Sequence, residues 1–304
     1  MRRALPSEKG SVVVIVALAM AVLLGFAALV IDVGLLYFNR VALSNAADAA
    51  ALAGVQELPD RPEQAEALAV SYAVKNGAEQ SRTVATVLPD RYSMGVRISR
   101  TVPLGFARVL GFDSVEVRAS AKARVGPVSG VFGAAPFFVP EQTFVYGQTY
   151  VLKYPGGQGE SGNFGGLALG GRGARNYEDN ITYGYQGWLH VGDWVETEPG
   201  NMSGPTVRGV ENRISQCLHS PACTFDRFVK GCPRLILIPV ADVEPGDLTG
   251  RSSVLLVGFA AFFLEGVGGH GNKCEVTGRF IRWATDGEIG GSGDYGLVSY
   301  RLEE

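Results

Sequence analysis

The chain has 304 residues, with 27 Lys and Arg against 30 Asp and Glu and a formal net charge of −3. That balance excludes an electrostatic nucleic-acid binder and a polyanionic tail, while the length allows one or two domains with a substantial core. The 41 glycines gather after residue 125, which favours short strands and turns there.

The first ten residues carry Arg2, Arg3 and Lys9 against Glu8. Ser11 to Ile31 is then a run of 21 uncharged, almost wholly apolar residues. At about 1.5 Å per residue it spans roughly 31 Å, the thickness of a bilayer's hydrocarbon core. The basic head predicts a cytoplasmic stub over 1–10, a single-pass anchor in the inner (cytoplasmic) membrane, and an extracytoplasmic bulk. A cleaved secretory signal has an apolar region of only ~7–15 residues. The longer run and the helical stretch behind it point to a retained anchor.

From Val33 to Gln56 there is no proline, so the helix is expected to continue outward, giving one element over 11–57. Ala42, Ala46, Ala50 and Gly54 recur every fourth residue and line one face. A face without bulk admits another helix closely. Two occupants remain open: a partner (another component or a second copy) and the chain's own folded part. Asp32 closes the apolar run, where water or headgroups are expected to solvate it, and Tyr37 and Phe38 read as an interfacial aromatic anchor.

Lys9-Gly10-Ser11, Asp32-Val33-Gly34 and Asn45–Gly54, "NAADAAALAG", also stand in the order and spacing of a known module. The segment resembles the amino-terminal module of TadE/TadG-like proteins of Flp (tight-adherence) pilus assembly systems. The resemblance implies a bitopic envelope protein, accessory to pilus assembly or secretion, acting as anchor or scaffold without enzymatic activity. Its implied partners are the lipid bilayer and other pilus or secretion components. Pilin-like relatives that are proteolytically processed carry Glu five residues after the cleavage glycine. Here that position is Ile15, so the likeness is to the larger, uncleaved TadG-like members.

Pro59 and Pro62 end the long helix and start a second, closed by Gly77, with Ala65, Leu68, Ala69, Tyr72 and Ala73 on one side. "TVATVL", "SMGVRISRTV" and "SVEVRASAKARV" read as strands, with "PLGFARVLGF" a short helix closed by Gly111. A small α+β module is expected over 60–126. The Gly- and Pro-rich residues 127–136 read as a linker, and 137–304 as a β-rich sandwich or barrel. "RLILIPV" and "VLLVGFAAFFL" are apolar on both parities, as central strands covered on both faces would be.

No enzyme signature stands out. Gly157-x-Gly159-x-x-Gly162 has no following helix pattern, and His190, His219 and His270 are isolated in sequence. Asp179, Asp193, Asp242 and Asp247 fall in turns and strand ends, where Asp is ordinarily structural. No cofactor or metal is expected. Tyr183, Tyr185, Trp188 and Trp194 form an aromatic cluster that suits glycan or protein recognition, the alternative of a membrane-tethered adhesion module. Cys217, Cys223, Cys232 and Cys274 are read as two disulfides, with three possible connectivities and a preference for Cys217–Cys223 plus Cys232–Cys274. A Cys₃His zinc set with His219 is the weaker alternative, because paired CxxC spacing is missing.

Overall fold

The computed structural model describes residues 9–153, 165–200, 202–243, 252–269, 274–291 and 293–303. The expected cytoplasmic stub falls almost entirely outside them, as do Gly157, Gly159, Gly162, Asp247 and His270. The chain forms two compact units, Met1–Arg124 with Arg301–Glu304, and Val125–Tyr300.

The first unit is built on α1, a 47-residue helix, Lys9–Val55. Its two halves differ. The apolar window at its start is 0% buried. From Leu43 onward, Leu43, Ala46, Ala47, Ala50, Ala51, Ala53 and Val55 are buried. The cover comes from α2 (Pro62–Lys75) and β2 (Ser93–Pro103), which follows β1 (Thr83–Val87). Ala65, Ala69 and Ala73 of α2 are buried in turn, so two stripes without bulk mesh. Strand β2 alternates as a half-buried strand should: Met94, Val96, Ile98 and Val102 point inward while Arg97 stays out. It pairs antiparallel with β1 and with the first half of β3 (Ser114–Phe132).

The second unit opens on the rest of β3. In chain order it then holds β4 (Val139–Pro140), β5 (Thr149–Lys153), α3 (Ala174–Tyr183), β6 (Trp188–His190), β7 (Trp194–Glu196), α4 (Ser203–Ser215), β8 (Leu235–Asp242), β9 (Ser253–Gly268), β10 (Glu275–Ile281), β11 (Trp283–Ala284), β12 (Glu288–Ile289) and the start of β13 (Leu297–Glu303), whose last three residues belong to the first unit. The supposed linker over 127–136 is thus largely strand. Gly130 pairs with both His190 of β6 and Glu288 of β12. Glycines along β3 serve contact: a Cβ on Gly126, just before that stretch, would lie 2.7 Å from Ile289 Cγ2, and one on Gly130 within it 2.7 Å from His190 Cδ2.

A six-stranded sheet in the order β4-β8-β9-β10-β5, with β7 also on β9, forms the centre of this unit. All its pairs are antiparallel except β4 with β8. Along β8, Ile236, Ile238 and Val240 join one apolar cluster, and Leu235, Leu237 and Ala241 the other. The double-parity apolar runs are therefore central strands buried on both faces. Helices α3 and α4 cover one face through Tyr177, Ile181 and Val210. Neither helix was expected. Their Asn, Asp, Thr and Gly content gives poor intrinsic propensity, and tertiary contact supplies what propensity lacks. Gly209 lets α4 approach α3, since a Cβ there would sit 2.8 Å from Ile181 Cβ.

Candidate functional site

Asp32 lies where the uncovered half of α1 meets the folded part of the first unit. Its carboxylate Oδ1 accepts the Gly105 N–H at 2.8 Å, and Oδ2 accepts those of Phe106 at 3.0 Å and Ala107 at 2.6 Å. Three successive amides turned toward one anion form a backbone nest. Here they open a 3₁₀ turn, Ala107–Leu110, whose first amides have no partner within the turn. Only 4% of Asp32 is exposed, so it is not the solvated boundary residue expected from sequence. With so little access to water, a carboxylate and three unpaired N–H groups would each be costly, and each satisfies the other. Nearby, Arg100 donates to Asn39 Oδ1 at 3.0 Å and Arg40 to the Arg118 carbonyl at 3.4 Å, tying α1 to β2 and β3.

The loop held by Asp32 presents apolar side chains outward. Val109 is 89% exposed and Leu110 77%, with Phe106 and Phe112 also exposed. Tyr37 and Phe38 on α1 are exposed too. Such a set beside a bare membrane-length helix matches an interfacial contact surface. The sequence carried a signal for it: five bulky apolar residues fall in a ten-residue strand connection, an unusually apolar loop.

The stripe Ala42, Ala46, Ala50, Gly54 is occupied within the first unit. Ala46 and Ala50 are buried, Ala42 is half-buried, and a Cβ on Gly54 would meet the Ala65 carbonyl oxygen at 2.8 Å. Of the two occupants left open, α2 is the one the structure shows at the end of this face.

In the second unit Tyr183 and Trp194 are exposed, Trp188 stacks on His190 with centroids 6.0 Å apart, and Tyr185 packs on the core. Asp193 accepts the His190 N–H at 2.7 Å, which closes a turn. None of the four cysteines is disulfide-bonded, which corrects the expected two bridges. Cys274 Sγ lies 4.0 Å from the Ser203 carbonyl, while Cys217, Cys223 and Cys232 converge with His219. The Cys217 thiol is lowered to about 6, first by the Cys223 backbone N–H and then by His219. Burial pushes Cys232 up to about 12.

Compared with known proteins, residues 10–57 match the family model of TadE/G-like Flp pilus-assembly proteins. This segment is similar to a TadE/G-like module. Searches of curated proteins and of solved structures find no match to the chain. The TadE/G-like module ends just past Val55, the last residue of α1, so it coincides with one helix. It contains Asp32, the membrane-length run and the Ala stripe. The amides that receive Asp32, and the helix that covers the stripe, lie outside it.

Proposed function

We propose that the chain is a bitopic component of a Flp/Tad-type pilus assembly or secretion apparatus, acting as an architectural anchor in the cell membrane. A pilus-related membrane component is what the TadE/G-like match and the apolar helix support together. One observation carries the finer reading: a single unbroken helix is bare along its bilayer-length half and core-forming along the other. Trimming the chain near residue 55 would strip Leu43, Ala46, Ala47, Ala50 and Ala51 from the core of the first unit, so the helix is retained. The basic head faces the cytoplasm and both units face outward. Partner components meet the exposed outer surfaces, since the Ala stripe is engaged by α2. In the source cell, replacing residues 1–31 by a cleavable export signal is expected to release a folded, secreted product and abolish pilus assembly. Wild-type assembly by that strain would overturn the reading. Protease added to spheroplasts should degrade residues 60–304 of the native chain, and protection of that bulk would reverse the proposed topology.

The loop over 104–112 sits in the lipid interface in this reading. Trp introduced as Leu110→Trp in the full chain should be quenched strongly by brominated phospholipid in reconstituted bilayers, beyond the quenching of the parent's tryptophans. Equal quenching of parent and variant would place the loop in water.

A tethered adhesion module is the second reading, favoured by the 70% exposure of Trp194. It predicts normal pili from the secreted version and loss of ligand capture in Trp194→Ala.

A further inference from the structure

The 19 residues between α4 and β8, 216–234, hold no helix or regular strand, only a single bridge between Thr224 and Arg227. Ordered loops of this length inside a compact unit need something besides backbone pairing to hold them. Three thiols and one imidazole converge within this loop. The Cys217, Cys223 and Cys232 sulfurs and a ring nitrogen of His219 all lie within 4.8 Å of one another. The His219 Nδ1 is 3.5 Å from both Cys217 Sγ and Cys223 Sγ, and Cys232 Sγ is 3.6 Å from Cys217 Sγ.

We propose that Cys217, His219, Cys223 and Cys232 bind one zinc ion, and that this closed Cys₃His site fastens the loop to the second unit. Tetrahedral zinc, with Zn–S about 2.3 Å and Zn–N about 2.0 Å, requires S···S edges of about 3.8 Å and S···N edges of about 3.5 Å. The three separations of 3.5 to 3.6 Å are close to those edges, and the remaining pairs lie within 4.8 Å. A disulfide fits the set less well: it needs two sulfurs at about 2.05 Å and leaves a third thiol and the imidazole facing it without purpose. Two sulfurs already receive backbone N–H groups, Cys217 from Cys223 and His219, and Cys232 from Arg234. Amide donors of this kind support thiolate ligands. Zinc with three thiolates and a neutral imidazole carries a net charge of −1, and the three thiol protons leave to solvent as the Zn–S bonds form. The Arg234 guanidinium is placed to balance that charge. It donates to the Cys223 carbonyl at 2.7 Å, to the Leu264 and Glu265 carbonyls of β9 at 2.9 and 3.0 Å, and lies over the Phe263 ring. All four positions are taken by protein ligands, so no site remains for substrate or water, and the role is structural.

The test uses the full chain, purified in detergent without chelator and offered zinc. One zinc per chain is expected, with the three loop thiols resisting alkylation until a chelator is added. Cobalt exchanged into the site should show the thiolate-to-metal charge-transfer band and the intense visible bands of tetrahedral coordination. Cys223→Ser should lose the metal and Cys274→Ala should keep it. Because Cys223 is buried and its replacement risks misfolding, the exposed His219→Ala serves as the second variant. It should release zinc to a competing chelator faster by on the order of tenfold or more. A chain that takes up no metal, whether its thiols are reduced or bridged, overturns the proposal. So does zinc held equally well by Cys223→Ser, or an unchanged release rate in His219→Ala.

Discussion

Replacing Asp32 by Ala is expected to expose the amides of Gly105, Phe106 and Ala107 to hydrogen exchange at least about tenfold faster, with little change elsewhere in β2 and β3. The carboxylate is the acceptor for all three N–H groups, at 2.6 to 3.0 Å. The turn that follows has no side-chain cap of its own. Without the anion, those donors must find water, and the turn must rearrange to let them. Asp32→Asn should be intermediate, because the amide keeps one acceptor oxygen but turns an NH₂ toward the remaining N–H groups. Exchange should be measured on the full chain in nanodiscs by peptide mass spectrometry. Unchanged protection across 104–107 in Asp32→Ala would show that the loop holds itself, and Asp32 would revert to a boundary residue without a structural task. Because the apolar face of Val109 and Leu110 is carried by that turn, the same variant should also weaken quenching of a probe at 110.

Gly54→Leu should destabilise the first unit by about 3 kcal/mol, while Gly34→Leu in the same helix should be neutral or stabilising. The contrast follows from surroundings. A Cβ on Gly54 meets the Ala65 carbonyl oxygen at 2.8 Å, Ala69 Cβ at 2.9 Å and Met94 Cε at 3.0 Å. The first two cannot step aside, because they belong to the backbone and first carbon of α2. The two helices must then separate, opening the Ala-on-Ala contact along Ala46 and Ala50. A Cβ on Gly34 meets nothing within 4 Å. There a side chain adds only helix propensity, worth up to about 1 kcal/mol over glycine. Thermal unfolding in detergent reads both, with a fall of roughly 10–15 °C for Gly54→Leu. Equal midpoints for the two variants would mean that α2 does not pack on this stripe in solution.

The features legible in sequence are those set by neighbours in the chain. Length and apolarity mark Ser11–Ile31 as long enough to cross a bilayer, because the requirement is only a count of residues at about 1.5 Å each. The small-residue period of α1, the alternation of β2 and the double-parity runs of β8 and β9 are local repeats, and the structure realises each as the element its period implies. Even Gly111, at φ 91°, ends its turn where a glycine after a short helix should.

What tertiary structure alone decided is who meets whom. Asp32 finds its donors 73 to 75 residues away, so no local pattern distinguishes a nested carboxylate from a solvated one. Gly130 looks like a linker glycine until strands from residue 188 and residue 288 close on it. The cysteines show the same limit most sharply. Spacing counts four thiols and suggests pairs, but Cys274, just before β10, lies against the Ser203 carbonyl while the loop before β8 folds three sulfurs around His219. Local sequence sets which backbone shape each segment prefers. The partner of a buried polar or reactive group is chosen by the path of the returning chain, which depends on the packing of every element between.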